Sequence, residues 1–226
     1  MCSLYETMTY QVADIERDVR VALDQNMVSD ALAGIGDVDT LALDEIIESK
    51  IVEAVQRVHM DAPYYLLHSG HNLVDNLGDA IYWEDLESGY VLLPSDFMRL
   101  VVFEMSDWER PVYTAISTDD PQYAQQRSRY KGIRGCPQKP VCAIVMRPEG
   151  KALEFYSCKD ENATVSKGVY IPYPAIDTDG GIDISEQCYK AVIYMAAGLT
   201  MLACGEADKA TAMMEMAKGL LGIANE

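Results

Sequence analysis

The histidines of this 226-residue chain are His59, His68 and His71. His68 and His71 are separated by Ser-Gly, a spacing that could bring two imidazole ligands to one metal ion. No neighbouring cysteine or carboxylate pattern completes such a site, so loop histidines are the plainer interpretation. We therefore predict no metal site from these residues.

A second candidate for chemistry is the acidic loop Asp177-Thr-Asp-Gly-Gly-Ile-Asp183, which is similar to the first half of a calcium-binding loop. The bidentate glutamate that closes such a loop is missing, because the chain continues through Gln187 and Tyr189 instead. A turn leading into a helix N-cap at Asp183 explains the same residues. Both interpretations stay open. The first supports an alternative function, a cytosolic α/β enzyme or regulator with a cation-binding loop at Asp177–Asp183.

No pattern in the sequence predicts covalent or phosphate chemistry. The chain contains no G-x-S-x-G nucleophile elbow, no glycine-rich phosphate loop and no metal-binding helix of the His-x-x-Glu type. Paired carboxylates occur throughout such an acidic chain, so they do not indicate a catalytic site. We predict that the protein is not an enzyme, and we expect no catalytic residue and no cofactor.

The charge balance is strongly acidic, since 36 Asp and Glu against 18 Lys and Arg give a net charge of −18. Such a surface repels nucleic acid and anionic membranes, which favours protein partners over a role in reading DNA. The longest apolar run, near 191–204, is shorter than the ~20 residues that span a bilayer. The N-terminus shows no signal core, so we expect neither secretion nor membrane insertion. The six cysteines form no C-x-x-C pair and are interpreted as buried thiols in a reducing compartment.

One stretch departs from this acidic character. Its basic residues are Arg127, Arg129, Lys131, Arg134, Lys139, Arg147 and Lys151, with Glu149 as the counter-charge. A solvated loop and hairpin is one interpretation. The other is a subunit or portal interface, a basic edge that docks on an acidic neighbour such as a second copy of the chain. A head-to-tail contact of that kind generates closed rings. The sequence favours neither.

Periodicity and turn residues predict amphipathic helices at both ends of the chain and strands between these end helices. We predict helices at 9–26, 40–59, 119–130, 183–204 and 207–222, the fourth stopped by a left-handed Gly205. We predict strands at 80–83, 90–93, 112–116, 141–146, 152–156 and 168–172. The fold class expected from this order is mainly α (α+β), a helical bundle with an inserted β-hairpin or small sheet. We expect one domain, 1–226, with a β-rich insertion at 112–174.

The stretch Gly89–Tyr113 is the predicted structural hub of the fold. Its short apolar run ends at Pro94, after which Ser95 and Asp96 suit the first turn of a helix. Apolar residues then follow at helical spacing on most of the circumference, which predicts a buried helix. The proposed hub residues are Pro94, Asp96, Phe97, Leu100 and Trp108.

The hub also carries a resemblance. Its residues Leu93-Pro-Ser-Asp-Phe-Met-Arg-Leu-Val101, followed by Trp108-Glu-Arg-Pro-Val112, resemble the leucine-proline-x-aspartate-phenylalanine segment and following tryptophan of phage head-to-tail connector proteins. These proteins are also called adaptors, ring proteins or tail tubular proteins A. Within this family, the chain resembles a ring protein of the kind expected in a crAss-like phage. The predicted order of elements agrees with that family.

The resemblance implies a structural virion protein in the neck of the tail, assembled in the host cytoplasm. It implies a homo-oligomeric ring of about twelve copies. Its further partners would be the portal protein and the next tail or ring proteins. Double-stranded DNA would pass through the lumen without specific binding during genome ejection, since carboxylates repel phosphates where Lys and Arg would retain them.

Overall fold

The computed structural model describes residues 8–23, 43–67, 74–75, 77, 80–130 and 132–223. The chain divides into two compact units. The helical unit comprises Met1–Asn72 and Tyr173–Glu226, and the β unit comprises Leu73–Pro172. The β unit therefore begins earlier in the chain than the insertion predicted at 112–174.

The element bounds are as follows. The helices are α1 (Val12–Ala22), α2 (Leu43–Asp61), α3 (Tyr64–Leu67), α4 (Pro121–Gln126), α5 (Tyr189–Ala203) and α6 (Ala207–Leu220). The strands are β1 (Thr9–Gln11), β2 (Val74–Asp75), β3 (Ile81–Trp83), β4 (Gly89–Leu92), β5 (Phe97–Met105), β6 (Ile116–Ser117), β7 (Cys142–Arg147), β8 (Gly150–Phe155), β9 (Val165–Pro172) and β10 (Gly181–Asp183). A 3₁₀ turn, Glu186–Cys188, precedes α5.

The helical unit follows the predicted periodicity closely. In α2 the buried stripe includes Ile47, Ile51 and Val55, so the second predicted helix is confirmed over its described residues. The α5–α6 hairpin is also confirmed, and Gly205 ends its first helix with a φ of 85°. Its two helices are closely packed at Gly198, where an added Cβ would lie 2.8 Å from Cγ of Met214.

Two helix starts in this unit were predicted wrongly, for one shared reason. Residues 9–11 form β1 instead of the first helical turn, and Asp183 lies in β10 instead of capping a helix. The two strands pair antiparallel, and Thr9 Oγ1 donates to Asp183 Oδ1 at 2.7 Å. Thr and Asp are good caps when the neighbouring amides are free. Here each segment pairs with a strand far away in the sequence. Thr9 and Asp183 therefore bond to each other instead of capping helices.

The described residues of the β unit form two sheets. A five-stranded mixed sheet has the order β3-β4-β8-β7-β6, and a three-stranded sheet has the order β2-β9-β5. The predicted hairpins β3–β4 and β7–β8 are confirmed as antiparallel pairs. Phe103 from β5 and Phe155 from β8 belong to one apolar core, with ring centroids 6.2 Å apart.

The predicted fold class is wrong, because the structure is 39% helix and 26% strand, an α/β fold with a five-stranded mixed sheet. The largest error is the hub, where the expected helix is the nine-residue strand β5. A strand buried on both faces is continuously apolar, and over a short window it resembles a helix that is apolar all round. Val101, Val102 and Phe103 favour the strand, and Phe103 pairs with Val112 across the following turn.

Two smaller errors follow the hub. The expected strand at 112–116 is reduced to a bridge at Val112 and the first residue of β6. The helix that begins at Pro121 ends at Gln126, four residues earlier than predicted. Its start is as expected, since Asp120 accepts a hydrogen bond from the Gln122 amide at 2.8 Å.

Candidate interaction site

The described members of the basic stretch all lie in the β unit, on both sides of β7. Arg127, Arg129, Arg134 and Lys139 precede the strand, whereas Arg147 and Lys151 lie at the β7–β8 turn. Arg127 nevertheless comes close to Arg147, because Tyr123 contacts both Arg127 and Glu154, and Arg147 pairs with Glu154. Lys131 lies outside the described residues.

Arg147 belongs to an internal polar network on one face of the five-stranded sheet. Its Nη2 donates to Glu84 Oε1 at 2.7 Å and to the buried Glu154, and its Cζ lies 3.8 Å from the centroid of the Tyr90 ring. Burial alone would lower the pKa of Arg147, but the two carboxylates raise it, so the guanidinium stays charged. This arginine joins three strands of its own sheet and is not a free docking group.

Glu154 is the centre of that network and is 3% exposed. Besides Arg147 it accepts hydrogen bonds from the hydroxyls of Tyr123, at 3.2 Å, and Tyr156. Burial, and then the hydrogen bond to Glu154, raise the pKa of Tyr156. A buried carboxylate needs such donors to offset its lost hydration, and here they come from β7, α4 and the end of β8.

Arg134 is also paired inside the chain, with Glu87 at the rim of a cavity of about 240 Å³. Cys136 and Cys158 both line this cavity. Burial, followed by the nearby Asp107 carboxylate, raises the pKa of Cys158 to about 12. Its thiol is therefore protonated at neutral pH, which is opposite to the requirement for a nucleophile.

Arg127 and Arg129 remain exposed and lie over tyrosines. The Cζ of Arg127 lies 5.7 Å from the centroid of Tyr123, and that of Arg129 lies 5.3 Å from the centroid of Tyr130. Within the described ranges, no ion pair joins either of them to a carboxylate. Lys139 and Lys151 are exposed too, and Nζ of Lys151 lies 6.0 Å from the centroid of Phe97.

The proposed hub residues lie in or beside the core of the β unit. Phe97 stacks on Tyr170 with centroids 5.6 Å apart, and Asp96 accepts a hydrogen bond from the Tyr170 hydroxyl at 3.1 Å. Burial and then Asp96 raise the pKa of Tyr170 to about 12. Leu100 is the strand partner of Tyr170 in the β5–β9 pair. Trp108 packs edge-on against Phe103. The carbonyl oxygen of Pro94 accepts a hydrogen bond from the Phe97 amide.

In the acidic loop of the helical unit, both end carboxylates have protein partners. Asp177 Oδ1 accepts hydrogen bonds from the amides of Asp179, at 2.9 Å, and Gly181, at 2.6 Å. Asp183 is bound to Thr9. Among the described residues, no group of three or more His, Cys, Asp or Glu is placed to hold a metal ion. His68 and His71 lie outside those residues.

Sequence reasoning missed the acidic partners Glu84, Glu87 and Glu154. Of these three residues, only Glu154 could have been noticed in the sequence. It is the single charged residue in the otherwise apolar end of β8, Ala152-Leu-Glu-Phe155. A comparison with protein-family models and one with curated proteins each find no match to this chain. Within the part of the chain that the structure describes, a membrane-crossing helix of sufficient length and hydropathy is not found.

Proposed function

We propose that the protein is a structural subunit of a phage particle, a ring below the portal that joins the capsid to the tail and lets DNA pass. The observation that carries this proposal is the segregation of charge between the units. The helical unit has 21 acidic and 7 basic residues, a net charge of −14, whereas the β unit has 15 and 11, a net charge of −4.

This segregation suits a ring that surrounds DNA. A surface rich in carboxylates repels phosphates and avoids the salt-dependent retention that each Lys or Arg contact adds. We therefore expect the helical unit to face the lumen. The β unit, close to neutral and carrying unpaired exposed arginines, is the better surface for neighbouring proteins, since like charge opposes contact between two helical units.

The motif from Leu93 to Val112 gives the second support, because it is the segment that resembles connector proteins. In this chain it forms β5 and the turn that packs Trp108 on Phe103. Its place in the core makes it a determinant of the β unit rather than a binding surface. The partners expected are the portal protein and further ring or tail proteins, and the location expected is the virion neck.

The portal protein encoded in the same genome provides the test. The two proteins are mixed over a range of concentrations, and the particle mass is measured by native mass spectrometry. We expect a ring of about twelve copies on each portal. Fragments of double-stranded DNA added at low salt should not be retained by the free protein. A chain that stays monomeric and ignores the portal at every concentration would overturn the proposal.

The enzyme or regulator with a cation at Asp177–Asp183 stays an alternative hypothesis. Asp177 and Asp183 already accept hydrogen bonds from protein donors, so a cation would have to compete with them. A calcium titration followed by thermal melting tests it. Binding to the folded state should raise Tm with calcium concentration, and an unchanged Tm would remove this alternative.

A further inference from the structure

We propose that neighbouring copies join through two separate surfaces of the β unit. The first is the arginine arm, which follows α4 and consists of Arg127, Arg129, Tyr130 and Ile133. The second is the β3 corner, which consists of Tyr82, Glu84 and Leu86. The arm of one copy docks on the corner of the next. This contact rests on the proposed function, for which it names the subunit interface.

The arginine arm combines unpaired charge with exposed apolar surface. Arg127 and Arg129 are exposed and contact tyrosine rings, and no described carboxylate pairs with them. Tyr130 is 61% exposed and Ile133 is 54% exposed. A single exposed apolar side chain is ordinary. Two of them beside two arginines within seven residues match the composition of binding hot spots, where arginine and tyrosine are enriched.

The β3 corner offers the complementary groups in a preorganised form. Tyr82 is 45% exposed and stacks on Tyr90 with centroids 5.1 Å apart, so the ring is already held in place. The Glu84 side chain is 45% exposed even though it pairs with Arg147. Leu86 is 63% exposed in a turn that Asp85 caps by accepting the amides of Glu87 and Ser88.

An arginine fits this corner better than a lysine or an apolar group would. The exposed tyrosine can receive a guanidinium on its ring face, and the neighbouring carboxylate can accept its N–H groups. The chain uses the same combination internally, where Arg147 lies over Tyr90 and pairs with Glu84 and Glu154. Leu86 would cover the apolar part of the arm.

The arm and the corner are different surfaces on one face of the five-stranded sheet. Arg127 contacts Tyr123, which donates to Glu154 of β8. Arg147 connects Glu154 to Glu84 of the corner. A contact between two different surfaces is heterologous, so repeating it gives a ring or a filament instead of a twofold dimer. Arg134 and Arg147 take no part, because carboxylates of their own chain occupy them.

Charge reversal of each surface tests the proposal on the full chain. The arm variant carries Arg127→Glu and Arg129→Glu, and the corner variant carries Tyr82→Lys and Leu86→Lys. A control variant, Lys159→Glu with Lys167→Glu, makes the same charge change as the arm variant at two exposed lysines of the β unit. Ring formation on the portal is followed by particle mass, and Tm verifies folding.

We expect the arm and corner variants each to lose ring assembly, with self-association weakened about tenfold or more. The control variant should assemble like the wild type. An equal mixture of arm and corner variants should regain rings, because acidic arms then meet basic corners and basic arms meet acidic corners. A misfolded variant could not be rescued in this way.

The outcomes separate this inference from the proposed function. If wild-type rings form and either reversed variant still assembles, the named interface is wrong and the connector role stands. Loss in both variants without recovery in the mixture also overturns the interface. If the wild type forms no ring on the portal, the connector role itself fails, and the interface fails with it.

Discussion

The helical unit and the β unit differ in how they hold their polar groups. In α5 most side chains are buried and apolar, and adjacent helices meet through small residues such as Gly198 and Ala210. In the β unit a charged carboxylate, Glu154, is buried and satisfied by an arginine and two tyrosines. The first kind of core tolerates changes that keep its volume, whereas the second depends on particular donors and acceptors.

The two units can also be observed separately. Both tryptophans, Trp83 and Trp108, are in the β unit, and the long helices are in the other. Tryptophan fluorescence therefore reports on the β unit, and far-ultraviolet circular dichroism reports mainly on the helical unit. Each prediction below changes one unit and specifies the signal that should move.

The largest effect is expected for Gly168→Ala in β9. An added Cβ would collide with the carbonyl oxygen of Leu77 and lie 2.9 Å from its carbonyl carbon, and backbone atoms cannot move aside as a side chain can. We expect the free energy of unfolding of the β unit to fall by about 4 kcal/mol, measured by urea denaturation with tryptophan fluorescence.

Gly132→Ala is the matched control, because a Cβ there meets no atom within 4 Å. Its effect should stay within about 0.5 kcal/mol. Equal effects of the two substitutions would contradict the close approach of β9 to Leu77. That approach depends on chain segments about ninety residues apart, and the sequence contains no local sign of it.

A pH-dependent loss of stability is expected next, in the helical unit. His59 is 1% exposed, and burial lowers its pKa from 6.5 to about 4. Between these values the unfolded chain binds a proton that the folded chain does not, so the free energy of unfolding decreases as the pH falls from 6.5 towards 4. The total loss from this residue is about 3 kcal/mol.

The measurement compares wild type with His59→Leu by urea denaturation at pH 7 and at pH 4, followed by circular dichroism. The variant should lose less stability on acidification, because the other titrating groups are common to both proteins. Identical pH dependence in the two proteins would show that His59 is not buried as a neutral ring.

Elements with a regular local pattern could be predicted from the sequence. The stripe of α2 and the α5–α6 hairpin were predictable because their buried residues repeat with the helical period over many turns. The hairpin β7–β8 was predictable because Pro148-Glu-Gly150 marks its turn. In each case the residues that determine the element are close together in the sequence.

The remaining structure depends on contacts between distant residues. β1 pairs with β10 across more than 170 positions, and this pairing overrides two good helix caps. β5 was mistaken for a helix because both of its faces are buried, and the strand that pairs with it, β9, lies about seventy residues further along the chain. For the same reason Arg134 and Arg147 looked like free cations until the sheet register brought Glu87 and Glu154 to them.

A medium effect is expected for Glu154→Gln. The amide keeps the size of the side chain but removes the charge that Arg147 and two tyrosine hydroxyls face. We expect a loss of about 2 kcal/mol in the fluorescence-detected transition, the cost of an imperfectly satisfied charge-assisted network. Glu149→Gln, at an exposed position in the β7–β8 turn, is the control and should change little. An unchanged transition for Glu154→Gln would mean that the network contributes no net stability.

The smallest effects come from two glycines of the α5–α6 hairpin. At Gly198 an added Cβ would lie 2.8 Å from Cγ of Met214 and 3.1 Å from the Ala210 carbonyl oxygen, so α6 must move outward. The gain in helix propensity from Gly to Ala is about 1 kcal/mol, and we expect the clash to exceed it and leave a net loss of about 1 kcal/mol.

At Gly219 a Cβ meets no atom within 4 Å, so the same substitution should stabilise the unit by about 0.5 kcal/mol. This gain is less than the full difference in helix propensity because the helix ends at the next residue. Both changes are followed by the circular dichroism transition. If Gly198→Ala destabilises the unit and Gly219→Ala stabilises it, Gly198 is a packing contact between the two helices. If both substitutions stabilise the unit, the space at Gly198 is large enough for a Cβ.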